Sequence, residues 1–253
     1  MDESTRELEK RLKELAERAF RESHYIFTDF LNSSQLSVYY EMKDRELSFI
    51  QSTVFGGMEG AERAMVRFGS LDDFGFEEAF PLKCLKIAPA AKKFAEELGH
   101  RDFLGAVMGL GLERHKLGDL IVKDNAAYLF ADEFAADYIH RELGQVRHTT
   151  VRVTVLNQVP DELKPELVEK HLIVASNRVD AVISQVYHLS REQSLLLFKQ
   201  QLVSVNGRIM TENAKALKEE DVVAVRGHGK FLFAREEGRT RKDRLNIWVE
   251  IYT

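Results

Sequence analysis

The sequence predicts an α+β fold of three consecutive units, and three observations carry the prediction. Helix-type and strand-type hydrophobic periods alternate in the order βαββαβ between residues 76 and 157, which suits a split βαβ, ferredoxin-like antiparallel sheet with helices on one face. Beyond residue 168, two short helical patterns are followed by strand patterns alone. Between the two stretches, Asn157 to Lys170 holds Pro160 and Pro165 among charged residues and reads as a linker. The expected units are 1–75, an N-terminal helical and α/β unit, then 76–157 and 168–253.

The first unit opens with a helix, because Leu8, Leu12, Leu15, Ala16, Ala19 and Phe20 recur at i, i+4, i+7, i+8 spacing while Glu, Lys and Arg fill the other face. Ser4 with Glu7 supplies a capping-box start. Leu47 to Val54 reads as a strand, Phe55-Gly56-Gly57 as a turn and Glu59 to Arg67 as a short helix, closing near the Asp72-Asp73 loop.

In the second unit, Pro81 to Ile87 and Lys93 to Glu97 are extended pieces, followed by a helix from His100 to Leu110 whose Gly105 and Gly109 suggest close packing. Asp119 to Lys123 and Ala127 to Ala131 form a hairpin about Asp124-Asn125. Asp132 then caps a helix to Leu143 with Phe134, Ala135, Tyr138 and Ile139 as its apolar stripe, and Val146 to Leu156 alternates like a final strand.

In the third unit, Val179, Val182, Ile183, Val186 and Tyr187 share one face of a helix starting near Asn177, and Ser190-Arg191-Glu192-Gln193 opens a second one. Leu202 to Val205 follows as a strand, Asn206-Gly207 as a type I′ turn, and Val222 to Arg226, Lys230 to Phe233 and Leu245 to Tyr252 as later strands.

Composition narrows the function classes. With 44% apolar and 30% charged residues and no run near the ~20 apolar residues of a membrane span, neither a disordered nor a membrane-spanning chain fits. The start Met1-Asp2-Glu3-Ser4-Thr5 has neither a basic nor an apolar signal region, and the single Cys84 allows no disulfide framework, so a cytoplasmic protein is expected. The net charge of -5 is unevenly spread: residues 1–175 carry 23 Lys+Arg against 31 Asp+Glu, and residues 176–253 carry 13 against 10. Seven bases against three acids fall between Arg226 and Arg244, so a polyanion should meet the C-terminal third.

Arg178 heads the first helix of that third and Arg191 heads the next. Helix N-termini offer unpaired N–H groups and partial positive charge, so an arginine there strengthens a site for phosphate. Arg208, after the Asn206-Gly207 turn, adds a guanidinium suited to bidentate phosphate contact, and the three are expected to converge on one backbone segment. Arg63, in the acidic first unit, is read as a distant charge whose loss changes little.

Ser176-Asn177-Arg178-Val179-Asp180-Ala181-Val182-Ile183, then Ser190-Arg191, Val203-Ser204-Val205-Asn206-Gly207-Arg208 and Val222 to Arg226, resemble in order and spacing the S4-type RNA-binding domain. The continuation Arg226-Gly227-His228-Gly229-Lys230-Phe231, Gly238-Arg239-Thr240-Arg241-Lys242 and Trp248 to Tyr252 resembles the bacterial YlmH family in particular. Phe55 to Arg63 and Gly109 to Asp119 are similar to that family's other signatures, so the resemblance covers nearly the whole chain. Val179, Ser194 and Glu220 stand where leucine, alanine and glycine are common in the pattern.

The resemblance implies a cytosolic RNA-binding protein with an RRM-like middle domain and a C-terminal S4-type domain. It implies association with the large ribosomal subunit, rRNA and tRNA, and a part in rescue and quality control of stalled nascent chains. The candidate RNA-contacting residues are Arg178, Ser190, Arg191, Lys199, Asn206, Arg208, Arg226, His228, Lys230, Arg239, Arg241, Lys242 and Arg244. Arg114, His115 and Lys116 form a small basic loop that offers a secondary RNA contact or a solvated turn. No cofactor, metal, membrane or small-molecule substrate is expected, and the chain is expected to be a monomer.

Other signals have plainer readings. Gly109-Leu110-Gly111 lacks the third glycine of a dinucleotide loop and follows a helix, so it reads as a helix C-terminal turn. Tyr128 and Phe130 share one face of a strand and could stack bases as RRM aromatics do, but core packing is the favoured reading. The eight histidines are dispersed, without zinc spacing, and no nucleophile elbow or P-loop is present. The expectation is a protein without catalysis. The alternatives are an RNA-modifying enzyme of pseudouridine-synthase type, for which residues 1–170 lack an Arg-Leu-Asp segment, and a scaffold with incidental RNA binding.

Overall fold

The structure, a computed structural model, describes residues 3–91 and 96–253. The chain forms two compact units, Met1–Lys164 and Pro165–Thr253. The expected extended piece at Lys93 to Glu97 lies, apart from its last two residues, outside the described residues.

Unit 1 begins with α1 (Glu3–Glu22), which buries Leu12, Ala16 and Ala19. Its expected start and stripe are corrected at two points. The helix has already begun at Glu3, so Ser4 lies inside it, and Phe20 is 62% exposed, edge-on to Phe49. A strand β1 (Ile26–Phe27) and a helix α2 (Ser33–Lys43) follow. The sequence reading missed both, although Asn32 and Gln35 form a reciprocal capping box at the head of α2.

The expected strand at Leu47 to Val54 shortens to β2 (Ser52–Phe55), because Leu47 and Ile50 are buried from a turn. Where a short helix was expected, Glu59 to Arg67 instead forms a loop that runs into β3 (Met65–Phe68). β1, β3 and β2 make a three-stranded antiparallel sheet, followed by the single turn α3 (Leu71–Phe74).

β4 (Leu82–Pro89), α4 (His100–Met108), β5 (Leu117–Lys123), β6 (Ala126–Asp132), α5 (Glu133–Glu142), β7 (Gln145–Val146) and β8 (Thr149–Leu156) complete unit 1. Their sheet runs β5-β6-β4-β8-β7, antiparallel throughout. The hairpin turn has Asp124 and Asn125 at φ 51° and 57°, and the Asp132 carboxylate accepts the Ala135 N–H at 2.7 Å. Leu85, Ile87, Leu129, Ala131 and Val153 face α4 and α5 across one core. Two expectations fail here: Phe134 is 73% exposed, and nothing lies within 4 Å of a Cβ built on Gly105.

The other face of this sheet is closed from within the unit. Phe130, fully buried, packs with Phe30, Met65 and Cys84, while Tyr128, 2% exposed, donates its hydroxyl to Glu162 at 2.5 Å. Both aromatics are therefore core, as favoured from sequence. Burial raises the Cys84 thiol to about 11, which disfavours the thiolate, and its side chain packs in the cluster with Phe30, Met65 and Phe130.

Unit 2 contains β9 (Leu167–Val174), α6 (Val179–Val186), α7 (Arg191–Lys199), β10 (Val203–Val205), β11 (Arg208–Ile209), β12 (Asp221–Val225), β13 (Gly229–Arg239) and β14 (Leu245–Tyr252). The sheet order is β11-β10-β12-β13-β14-β9. β9 lies partly in the segment read as linker; it pairs with β14 from Leu167↔Tyr252 to Val174↔Leu245. Val179, Val182, Ile183, Phe231, Phe233, Ile247 and Val249 are buried in one core between the helices and one sheet face. Burying side chains of this size contributes about 1.5–3 kcal/mol each before ordering costs.

Candidate nucleic-acid interface

The two helix starts of unit 2 differ. The Val179 and Asp180 N–H groups at the head of α6 donate to the carbonyls of Lys215 and Asn213, at 2.9 and 3.3 Å. That helix end is closed by the chain's own 211–218 loop. α7 is capped by Ser190, whose hydroxyl accepts the Gln193 N–H while the Gln193 side chain accepts the Ser190 N–H. Its next two N–H groups, on exposed Arg191 and Glu192, have no partner among the described residues.

Arg178 is the residue before α6, and its guanidinium is already engaged: Nε and Nη2 donate to Asp180 Oδ1 and Oδ2 at 3.0 and 2.7 Å. The expectation of a free fork there is corrected to a fork held by its neighbour. Asn213 Nδ2 adds a third donor to the same carboxylate at 2.8 Å. Burial alone would raise the Asp180 carboxyl, but these hydrogen bonds and the Arg178 charge outweigh it and hold it below the usual range. The Ser194 hydroxyl donates to the Asp180 carbonyl at 3.0 Å, so the first turn of α7 rests on the first turn of α6. Arg178 and Arg191 are thus brought to the same end of the helix pair.

That end is also where β13 turns into β14. Asn177 Nδ2 donates to Glu236 on β13 at 2.7 Å, and β9 reaches Asn177 from Val174, the partner of Leu245. Arg241, Lys242 and Arg244 are exposed in the turn without side-chain partners among the described residues, while Arg239 donates to Asp243 at 2.9 Å.

Other expected contacts lie elsewhere. Arg226, His228 and Lys230 sit at the opposite end of β13, where the His228 ring lies 5.5 Å from Tyr187 at the end of α6. Nine strand steps separate Lys230 from Arg239, roughly 30 Å. Lys199 ends α7, roughly 12 Å along the helix axis from Arg191. Arg208 is exposed on β11. Asn206 and Gly207 have φ 51° and 77°, as a type I′ turn requires. The Asn206 side chain serves the fold, donating to Asp221 at 2.7 Å and accepting the Val222 N–H at 2.8 Å.

The basic loop of unit 1 is neutralised. Arg114 donates to the carbonyls of Leu117 and Gly118, His115 faces Glu113 at 2.9 Å, and Lys116 reaches Asp29 at 2.7 Å and Asp132 at 3.3 Å. Arg63 ties the same loop down, donating to the carbonyls of Leu117, Phe30 and Arg114 at 2.9, 3.1 and 3.2 Å. Asp119 accepts the Glu62 and Arg63 N–H groups at 2.7 and 3.1 Å. Close approach completes the joint: a Cβ on Gly57, whose φ is +100°, would lie 2.1 Å from Phe130, and one on Gly118 would lie 2.7 Å from Phe30. The sequence segments 55–63 and 109–119 are therefore two halves of one packed junction.

Sequence reasoning missed Asp180 and Asn213 as holders of Arg178, although the Arg178-x-Asp180 spacing was visible. Among the described residues no group of three His, Cys, Asp or Glu could hold a metal, and no helix is long and apolar enough to cross a membrane.

The fold is α+β, and one edge of unit 2 gathers the helix-pair start and a basic hairpin turn, the charge arrangement that a polyanion would meet. Residues 76–159 match the family model described as "Putative RNA-binding domain in YlmH". The chain is 30% identical over 227 residues to the ribosome-associated protein quality control protein P2 of Bacillus subtilis (strain 168), covering 88% of this chain and 86% of that protein. The chain belongs to the YlmH family. Its fold is similar to that of the cell division protein ylmH from Streptococcus pneumoniae, with a TM-score of 0.51 at 15% identity, over 62% of this chain and 93% of that one.

Proposed function

We propose that this chain is a cytoplasmic RNA-binding protein that associates with the ribosome and takes part in quality control of stalled nascent chains. In this reading it contacts rRNA of the large subunit and tRNA and performs no chemistry on them. Unit 2 is read as an S4-type domain carrying most of the affinity, and residues 76–157 as an RRM-like domain whose stacking face is used for packing. The name of the Bacillus subtilis relative supports the setting.

The observation that carries the reading is the joined end of α6 and α7. There the fork of Arg178, fixed by Asp180, the open N-terminus of α7 under Arg191, and the Arg241, Lys242 and Arg244 turn border one edge of unit 2. Such an edge offers charge-assisted, bidentate and main-chain donors to successive phosphates.

Sucrose-gradient co-sedimentation of the full chain with ribosomal subunits, and sequencing of RNA that co-purifies with it, tests the proposal. The expected result is enrichment in large-subunit fractions that Arg191→Lys weakens and the triple change Arg241→Ala, Lys242→Ala, Arg244→Ala abolishes. Parent-level sedimentation by both variants refutes the assigned edge, and a modified or cleaved RNA produced by the purified protein would make it an enzyme.

A further inference from the structure

The six-stranded sheet of unit 2 packs only one face against α6 and α7, and strand alternation sends a distinct set of side chains to the other. Register places Arg235, Trp248 and His171 in one cross-strand row and Lys230 and Tyr252 in another. The Arg235 guanidinium lies 4.8 Å from the Trp248 ring centroid, the His171 ring 5.0 Å from it, and Lys230 Nζ 4.8 Å from that of Tyr252. Trp248 Nε1 donates to Glu237, which fixes the indole. The two aromatic rows are four residues apart on β14, about 13 Å.

We propose that this open face is a stacking platform for single-stranded RNA, distinct from the helix-pair edge; the proposal rests on the reading of unit 2 as an RNA-binding unit. Trp248 and Tyr252 are half-buried and His171 is exposed; aromatics that keep part of a ring to solvent on a sheet face can stack an unpaired base, and a guanidinium over an indole extends the stack. Charge favours a polyanion over an apolar protein surface. The rows run between the Arg226, His228, Lys230 end of β13 and the Arg239 to Arg244 turn, a stretch with seven bases against three acids. Three carboxylates lie beside the rows: Glu169 is matched by Arg235 at 2.8 Å and Glu237 by the indole N–H, while Glu250, between Trp248 and Tyr252 on β14 and opposite Glu169, has no ion-pair partner among the described residues. A strand lying along β13 and β14 meets cations at both ends, with the rings and the Glu250 carboxylate between them.

Trp248 is the chain's only tryptophan, so its emission reports on this face alone. The full chain is titrated with a 12-nucleotide oligouridylate, following Trp248 emission, and in parallel with the same oligomer labelled with fluorescein, following anisotropy. Saturable quenching with the anisotropy midpoint is expected, together with about tenfold weaker binding by Trp248→Ala. Arg235→Gln, at an exposed side chain, should weaken binding and lower the log–log salt slope by about 0.7 even where Trp248→Ala folds poorly. Anisotropy that reports binding while Trp248 emission stays constant and Arg235→Gln binds like the parent overturns the platform and leaves the RNA-binding reading intact. Absence of binding in both signals overturns the platform, and the RNA-binding reading is then decided by the co-sedimentation test. Emission that changes on dilution of the protein alone assigns the face to a second copy of the chain and overturns the platform, as does equal quenching by a 12-base-pair duplex.

Discussion

Asp180 accepts hydrogen bonds from both Nε and Nη2 of Arg178, two residues before it, and so fixes the plane of a guanidinium at the head of α6. The pair leaves Nη1 of Arg178 without a partner among the described residues, a pre-oriented donor edge of the kind that suits a phosphate. A lysine at 178 supplies the charge but cannot bond both carboxylate oxygens in that plane. Arg178→Lys should therefore weaken RNA binding severalfold with little change in the salt dependence, whereas Arg178→Ala should also lower the log–log salt slope by about 1. Fluorescence anisotropy at several salt concentrations measures both. Parent-like binding by Arg178→Lys would reduce the Arg178–Asp180 pair to a fold contact.

The same carboxylate makes acid sensitivity predictable. Asp180 is held below its usual range in the folded chain, so its contribution to stability is fully present above the unfolded value of about 3.9 and is lost as pH falls through the lower folded value. Asp180→Asn leaves the Arg178 fork and Asn213 imperfectly satisfied and should destabilise unit 2 by about 2 kcal/mol at pH 7. Below about pH 4 the gap should close. Urea denaturation of parent and variant at pH 7 and pH 3 checks the sign, and a constant gap would mean that Asp180 is not the titrating group.

Arg63 is expected from sequence to matter little for RNA binding, and in the fold it donates to three carbonyls from two chain segments. Burial, with Arg114 beside it, lowers its guanidinium to about 10. Arg63→Ala strands those carbonyls and the loop they hold, and should destabilise unit 1 by about 2–3 kcal/mol without changing RNA affinity while the protein stays folded. Arg63→Lys should rescue little, since one ammonium cannot span the three acceptors. Thermal unfolding reads the loss, and an unchanged melting temperature for Arg63→Ala would contradict it.

These residues mark what sequence reasoning could reach. Elements with a strong local signature were legible: the Asp132 cap, the Asp124-Asn125 and Asn206-Gly207 turns, and the Ser190 capping box. Charge position was legible too, since Arg178, Arg191 and the 239–244 turn stand at element ends. Whether a charge is free was not: Lys116 meets Asp29 and Arg63 meets the carbonyls of Phe30, Arg114 and Leu117 only through tertiary packing, whereas the Arg178–Asp180 pair is local and its spacing was visible. The strand β9 escaped because its outward Leu167 and Ile173 break the expected alternation of an edge and charged neighbours read as linker. The platform of Trp248 and His171 depends on register between strands 77 residues apart, which no local period carries.

Glu220 gives a test of local backbone chemistry. It precedes β12 with φ 68°, in the left-handed region, and its N–H donates to the Phe233 carbonyl at 2.9 Å, so the turn is fixed by the β12–β13 ladder. An L-residue pays about 1–2 kcal/mol there, most of which glycine avoids. Glycine also gains about 0.4–1 kcal/mol of freedom in the unfolded chain, which offsets part of the benefit. Because Glu220 is exposed, Glu220→Gly should stabilise unit 2 by about 0.5 kcal/mol. Glu220→Val, whose branched Cβ is least tolerant of positive φ, should destabilise it by about 1 kcal/mol. Urea midpoints of the three proteins should rank glycine, glutamate, valine; any order that places valine above glutamate would show that the turn relaxes away from the left-handed conformation when challenged.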